Sequence, residues 1–183
     1  MAAPSAASIL RVPGSLIWNP TTNSGAAPYG GTYLGTVHSI AFEMEPVTRE
    51  IWAEEMGGLS DVIFCGERGK LKAVLRHPDS DGVGAIAPNS AGSGGFRFRV
   101  QGAGAYAAGN SLFGHAGRLL FAPRADTAHP ALIIYAAVPC FEEAAALQLS
   151  FGKEYGLAVV FRVALDTSGR GYQSGILSTL TVT

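Results

Sequence analysis

Charged side chains are scarce in this chain of 183 residues: Asp, Glu, Lys and Arg make up 15%, against about 25% in an average soluble domain. The 13 basic and 14 acidic residues leave a formal net charge of −1. This balance provides no overall positive field that would concentrate the chain on nucleic acid or anionic lipid. So little surface charge protects weakly against self-association and favours an assembling subunit, although an ordinary low-charge monomer fits the composition equally well.

Cysteine and long apolar runs are also scarce. Only Cys65 and Cys140 are present, which excludes a disulfide-rich scaffold, and both lie in apolar segments, so we expect two buried thiols rather than a bridge. The longest uncharged apolar run, residues 131–141, is interrupted by Pro139 and is shorter than the roughly 20 residues of a membrane-spanning helix. Residues 1–9 contain no basic segment followed by an apolar one, so we expect no targeting segment.

Glycine and apolar residues are abundant instead. Apolar residues make up 48% of the chain, which is enough for the core of one domain of this length. No linker divides the sequence, so we treat residues 1–183 as a single domain. The 24 glycines and 10 prolines indicate a turn-rich chain and disfavour a coiled coil or a helical bundle.

Apolar residues alternate with other residues along several segments, which is the pattern of half-buried strands. The alternating segments are residues 71–76, 96–101 and 159–166. Further runs rich in β-preferring residues are 119–122, 132–138 and 176–182. Because turns rich in Gly, Pro, Asn and Asp separate these runs, the sequence predicts a mainly β fold, either a sandwich or a barrel.

Few segments favour a helix. Residues 141–149 contain good helix formers and predict one short helix, whereas residues 48–56 fit either a short helix or an exposed strand. Residues 79–95 and 102–117 are rich in Gly and predict two long loops, the first with room for a short ordered piece. Gly66 predicts the end of one strand and a turn into the next.

One glycine-rich segment, residues 102–107, matches the dinucleotide-binding pattern G-x-G-x-x-A, and Asp126 follows near the expected place of a ribose-binding acid. That motif must open a helix whose N-terminus holds the pyrophosphate. Gly109, Gly114 and Gly117 follow instead, and a segment so rich in glycine cannot sustain an ordinary helix. A hairpin tip is the better interpretation.

Other catalytic patterns are equally weak. Residues 66–71 superficially resemble a phosphate-binding loop, but Leu71 stands where a hydroxyl should bind Mg²⁺. No G-x-S-x-G nucleophile motif is present. The histidines, none of which is paired with another ligand at metal-binding spacing, are His38, His77, His115 and His129. We therefore predict no enzymatic activity, no cofactor and no metal site.

Arg97 and Arg99 form a small basic stripe beside Phe96 and Phe98. A mixture of aromatic and basic side chains can bind single-stranded nucleic acid when both share one surface. Here the strand alternation places the two kinds on opposite faces, so an ordinary core face and solvent face are favoured.

Several segments follow one another in a characteristic order. They are residues 14–20 (GSLIWNP), 33–37 (YLGTV), 42–46 (FEMEP), 57–63 (GGLSDVI), 66–75 (GERGKLKAVL), 117–123 (GRLLFAP) and 158–166 (AVVFRVALD). This arrangement, which spans most of the chain, resembles the tail tube proteins of long-tailed bacteriophages. In that resemblance, the two segments between residues 57 and 75 look like the long hairpin of the family and the strand that follows it.

The resemblance implies a tail-tube-type β-sandwich with one short helix, whose subunits form hexameric rings stacked into a tube. The tube would belong to the virion tail, assemble in the host cytoplasm and conduct DNA through its lumen without sequence-specific binding. The resemblance also implies that an acidic stretch of the sequence lies near the lumen, where its carboxylates would repel the phosphates of DNA. The candidate lumen-facing acids are Glu43, Glu45, Glu50, Glu54 and Glu55.

Three alternatives stay open. Neck and tail-tip proteins of the virion share the same folding unit. A monomeric β-sandwich that binds a glycan or another virion protein fits the composition, and so does an enzyme on a β scaffold. Rings or tubes under the electron microscope would separate the tail tube from the two monomeric classes.

Overall fold

The structure, a computed structural model, describes residues 7–10, 13–53, 58–76, 78–86, 111–125, 129–140 and 156–182. In these ranges lie eight strands, one α-helix and two 3₁₀-helices. The strands are β1 (Ala7–Leu10), β2 (Gly14–Trp18), β3 (Thr32–Ala53), β4 (Gly58–Arg76), β5 (Gly117–Pro123), β6 (Ala131–Pro139), β7 (Gly156–Ala164) and β8 (Tyr172–Gly175). The helices are α1 (Ser80–Ile86) and the 3₁₀-helices Leu112–His115 and Leu177–Thr179. The prediction of a mainly β fold is confirmed.

Six of these strands close into an antiparallel barrel. Each strand pairs with the next in the order β2, β3, β4, β7, β6, β5, and β5 pairs with β2 to complete the circle. Strand β1 pairs with β3 and strand β8 pairs with β6 outside this circle. Closure gives the barrel strands partners on both sides, which removes most of the free edges that invite aggregation.

The interior of the barrel holds the main apolar core, because alternate residues of each strand point inward. Leu71, Ala73 and Leu75 of β4 are buried, as their alternation predicts. Across the core, the ring of Phe161 in β7 stacks on that of Trp18 in β2, with 6.0 Å between the ring centroids. The barrel is therefore filled by packed side chains.

Helix α1 packs against this core in a segment for which the sequence predicts a loop. Val83 and Ile86 are fully buried in the main cluster. Gly82 brings the helix so close to β3 that a Cβ at this position would collide with the carbonyl oxygen of Tyr33. The predicted loop left room for a short ordered piece, and this helix is that piece, which forms because tertiary packing outweighs the poor helix propensity of a glycine-containing segment.

A second apolar cluster lies on the outside of the barrel, over β2, β5 and β6. Residues on the outward face of these strands, among them Ile17, Leu120 and Ile133, are fully buried because the C-terminal segment, residues 176–182, covers them. Since both faces of β5 and β6 are buried, these strands read as continuous apolar runs rather than as an alternation.

The C-terminal segment is not the strand that its composition predicts. It makes a 3₁₀ turn, and side chains from the β2–β3 connection, from β8 and from β5 bind its backbone groups. The Nδ2 of Asn23 donates to the carbonyl oxygen of Leu180 at 2.6 Å, Gln173 Oε1 accepts from the N–H of Thr181 at 3.1 Å, and Arg118 donates to the carbonyl oxygen of Val182. Leu177, Leu180 and Val182 are buried, but in a covering segment and not in a sheet ladder.

Several predictions fall outside the described ranges. They are the strand at residues 96–101, the helix at residues 141–149 and the dinucleotide-like segment at residues 102–107. Within the described ranges, none of the helices is long and apolar enough to span a membrane.

Candidate functional site: an exposed hairpin arm

Strands β3 and β4 continue beyond the barrel as a two-stranded hairpin arm, which we define as residues 46–53 of β3 and 58–67 of β4. Strand β1 pairs with β3 only as far as residue 43, and β7 pairs with β4 only from residue 69 onward. Among the described strands, each half of the arm therefore pairs only with the other half. At about 3.3 Å per residue the β3 half extends roughly 25 Å.

Two irregularities interrupt the arm ladder. The register shifts once between Val47 and Thr48, beside Gly66, and once between Ile51 and Trp52. Gly66 has a φ of 127°, in the region that favours glycine. The turn predicted at Gly66 is wrong, because the residue lies in a bulge within a continuous strand, and a bulge bends and twists the ribbon at that point.

The arm exposes large apolar side chains. Trp52 is 63% exposed and Phe64 is 61% exposed. The other exposed apolar side chains of the arm are Ile51, Leu59, Val62 and Ile63. Of the two alternatives predicted for residues 48–56, the exposed strand is confirmed. Residues 48–52 are exposed, the strand continues to Ala53, and residues 54–56 lie outside the described ranges.

Pairing register and strand alternation divide these side chains between the two sides of the ribbon. Trp52, Leu59, Val62 and Phe64 share one side, and Ile51 and Ile63 share the other. Contiguous apolar patches are rare on monomeric proteins and mark interaction sites. An isolated two-stranded ribbon is also only marginally stable in water, and its outer edges are open to pairing. The arm is thus a surface that another molecule would stabilise by covering it.

A groove of about 690 Å³ lies at the base of the arm. Its apolar lining includes Phe64 from the arm, Leu165 after β7 and Tyr172 at the start of β8. Leu165 is 62% exposed and Tyr172 is 41% exposed. Glu67 and Arg68 contribute charge to the same lining. The molecule therefore combines a protruding apolar arm with an apolar concavity.

The structure places three of the five candidate lumen-facing acids. Glu43 and Glu45 lie on one face of β3, as predicted, and this face is the outside of the barrel. Glu50 lies on the other side of the ribbon, where its Oε2 accepts a hydrogen bond from Trp52 Nε1 at 3.2 Å. Glu54 and Glu55 lie outside the described ranges.

Cations from neighbouring strands lie among Glu43 and Glu45. In the β3–β4 ladder, Lys70 stands opposite Glu43 and Arg68 stands opposite Glu45. The Nζ of Lys72 is 3.5 Å from Glu43 Oε1. The cations on this outer face are Arg68, Lys70, Lys72 and Arg162. They outnumber the two acids, so the face does not by itself form an acidic wall. The sequence did not reveal this mixture because the strands that supply the cations are distant in the chain.

The other chemically suggestive residues do not converge. Among the described residues, no group of three or more His, Cys, Asp or Glu side chains could hold a metal ion. His38 and His129 are exposed and His115 is half-buried. Cys65 is exposed on the arm and Cys140 is half-buried, so the prediction that both thiols are buried is wrong.

The resemblance likened residues 57–75 to a long hairpin and the strand that follows it but did not single out the apolar side chains of this segment. The available signal was apolar residues at adjacent positions, Ile51 with Trp52 and Val62 through Phe64, on either side of the turn-forming Gly57 and Gly58. Adjacent apolar residues in a strand occupy both faces, so both faces of this hairpin need cover.

No protein-family model matches this chain, and no curated protein sequence matches it. The functional interpretation consequently depends on the order of the sequence segments and on the geometry of the arm.

Proposed function

We propose that this chain is a structural subunit that assembles with copies of itself through the hairpin arm, in the manner of the tail tube proteins of long-tailed bacteriophages. The subunits form hexameric rings that stack into a tube in the virion tail, after assembly in the host cytoplasm. DNA passes through the lumen without sequence-specific contacts, and the chain performs no catalysis. The exposed arm is the observation that carries this proposal.

The contrast between barrel and arm supports self-assembly. The barrel shields its strand edges by closing. The arm has no further partner among the described strands, and it exposes six large apolar side chains, residues 51, 52, 59, 62, 63 and 64. A monomer gains no stability from such an arm. An assembly in which neighbours cover the arm gains both apolar burial and backbone pairing.

The five acids keep the role of candidate channel residues as a prediction. Glu43 and Glu45 share their face with Lys70 and Arg68, so a channel lined by this face has mixed charge. Tight DNA binding requires many cations that release counterions from phosphates, and a mixed face weakens that effect. Passage of DNA without adhesion is compatible with such a wall.

The test is the assembly state of the purified full chain over a range of concentrations. We expect light scattering to show growing particles and negative-stain microscopy to show rings or tubes. Trp52→Ser should reduce assembly and leave the circular dichroism spectrum unchanged. Val74→Ser, which alters a 50% exposed apolar side chain on the barrel, is the matched control and should assemble normally.

Each other outcome has a distinct meaning. Single rings that never stack favour the related neck or tail-tip role. A chain that stays monomeric at every concentration contradicts self-assembly and favours the monomeric binding module. Assembly that is insensitive to Trp52→Ser would show that the arm does not mediate it.

A further inference from the structure

We propose that the tip of the arm of one copy docks into the groove at the base of the arm of the next copy, with Trp52 as the inserted side chain. The inference rests on the proposed function in that it requires copies of the chain to assemble, and it names the contact they make. It commits the apolar groove to one occupant, which is a second copy of this chain.

Size and chemistry match between tip and groove. Trp52 is the largest exposed apolar side chain of the described arm, at 63% exposure. The groove has a volume of about 690 Å³, within the roughly 300–1,000 Å³ of sites that enclose drug-sized ligands. Its exposed apolar lining, Phe64, Leu165 and Tyr172, would face the indole. The residues that contribute most to protein interfaces are enriched in Trp, Tyr and Arg, and they lie in well-packed pockets from which water is excluded.

The tip of an arm cannot fill the groove of its own chain. Trp52 pairs with Leu59, whereas the groove lining on β4 begins at Phe64 and continues past Gly66. The ladder between Leu59 and Gly66 holds the tip about 20 Å from the middle of the groove, at about 3.3 Å per residue. The indole that fills the groove must therefore belong to another molecule.

The charges beside the tip and in the groove are complementary. Arg49 and Glu50 precede Trp52, and Glu67 and Arg68 line the groove. Docking can bring Glu50 of one copy to Arg68 of the next, and Arg49 to Glu67. Within one chain Glu50 stands opposite Val62, which is about 20 Å along the strand from Arg68, so the two cannot pair directly. If this contact forms, Glu50 lies at a subunit interface and no longer counts among the five candidate channel acids, whereas the other four remain candidates.

Tip and groove are different surfaces, so the contact is heterologous and each copy carries one of each. In any pair of copies, such a contact leaves one tip and one groove unused, so further copies can add. The copies form a ring if the rotation between neighbours closes, and an open filament if it does not. Equal numbers of tips and grooves are guaranteed when the occupant is a copy of the same chain.

A complementation experiment tests the contact. Trp52→Ser removes the tip, and Leu165→Asp blocks the groove at a side chain that is 62% exposed, so both variants should keep the fold. In sedimentation velocity, neither variant alone should form the contact. An equimolar mixture should form one-to-one dimers and nothing longer, because only one intact tip and one intact groove remain in each pair.

The outcomes distinguish this contact from the proposed function. Tubes formed by Leu165→Asp would overturn the arm-to-groove contact and leave the tube function standing. Mixed dimers from the two variants, in a protein whose wild type forms no rings or tubes, would support the contact and contradict the tube. Two variants that do not associate when mixed would overturn the contact in favour of arm-to-arm pairing or of a different partner.

A charge exchange tests the orientation of docking. Glu50→Arg and Arg68→Glu should each weaken self-association by about tenfold, and the double variant should recover most of the loss. Glu43→Arg, on the barrel face, is the control and should leave association unchanged. Because Glu50 and Arg68 are too far apart to pair within one chain, recovery can only arise between copies. If the losses of self-association caused by the two single substitutions simply add in the double variant, the proposed pairing of Glu50 with Arg68 of the next copy is wrong.

Discussion

The same two strands behave differently at their two ends. In the barrel, β3 and β4 have neighbours on both sides, and their inward residues, such as Ile40, Leu71 and Leu75, are almost completely buried. In the arm, the two strands pair only with each other among the described strands, and none of the described side chains is buried. The apolar residues of the arm are as hydrophobic as those of the barrel, so the number of neighbouring strands and not composition decides burial here. A core that holds without the arm leaves the arm available for contacts with other molecules.

The largest expected effect is a matched pair of phenylalanine substitutions. Phe161→Ala removes a fully buried ring that stacks on Trp18, which should lower the free energy of unfolding by about 3–5 kcal/mol. Phe64→Ala removes a ring that is 61% exposed, which should change it by less than about 0.5 kcal/mol in the monomer. Urea denaturation at low protein concentration measures both. Equal losses would show that the arm is part of the cooperative core.

The second largest effect concerns the apolar cluster on the outside of the barrel. Leu180 and Ile176 both belong to the C-terminal segment, but Leu180 is 2% exposed whereas Ile176 is 55% exposed. Leu180→Ala should lower the free energy of unfolding by about 2–3 kcal/mol. This is at the lower end for a buried leucine because the covering segment can relax around the smaller side chain. Ile176→Ala should cost little. Denaturation midpoints of the two variants give the comparison, and a small loss for Leu180→Ala would mean that residues 176–182 are only loosely attached.

Helix α1 offers a third comparison, between two glycines. Gly82→Ala places a methyl group against the carbonyl oxygen of Tyr33, and backbone cannot move aside as a flexible side chain can. We expect this overpacking to lower the free energy of unfolding by about 1–3 kcal/mol, although alanine favours a helix by about 1 kcal/mol relative to glycine. Gly114→Ala has no neighbour within 4 Å and is the control. A stabilised Gly82→Ala would indicate that the helix can shift away from β3.

The sequence predicted those parts of the fold that depend on local periodicity. The alternation at Leu71, Ala73 and Leu75 identified an inward face, and the turn at residues 166–169 was expected from its Asp and Gly. These features are visible because neighbours in the chain determine them.

Features set by distant contacts were not predicted. Helix α1 forms because Val83 and Ile86 enter the barrel, and the C-terminal segment leaves the extended state because Asn23 and Gln173 satisfy its backbone. The candidate site shows the same limit. The acidic residues near Glu43 were evident from the sequence, but which cations of β4 and β7 stand beside them depends on the register of the strand ladders.

The smallest expected effect concerns the turn that links β7 to β8. Asp166 Oδ1 accepts hydrogen bonds from the backbone N–H of Arg170 at 2.8 Å and of Ser168 at 2.9 Å, and Oδ2 accepts from Arg170 Nε at 2.8 Å. These interactions, led by the backbone N–H of Arg170, hold the pKa of Asp166 below its usual value. Since the pKa is lower in the folded than in the unfolded chain, the carboxylate stabilises the fold above the unfolded value of about 3.9.

That contribution should disappear as the pH falls through the folded pKa. Urea denaturation of the wild type and of Asp166→Asn at a series of pH values tests this. We expect the wild type to be slightly more stable at pH 7 and the difference to narrow below about pH 4. A difference that stays constant down to pH 2 would show that Asp166 acts through something other than the charge-dependent hydrogen bonds of this turn.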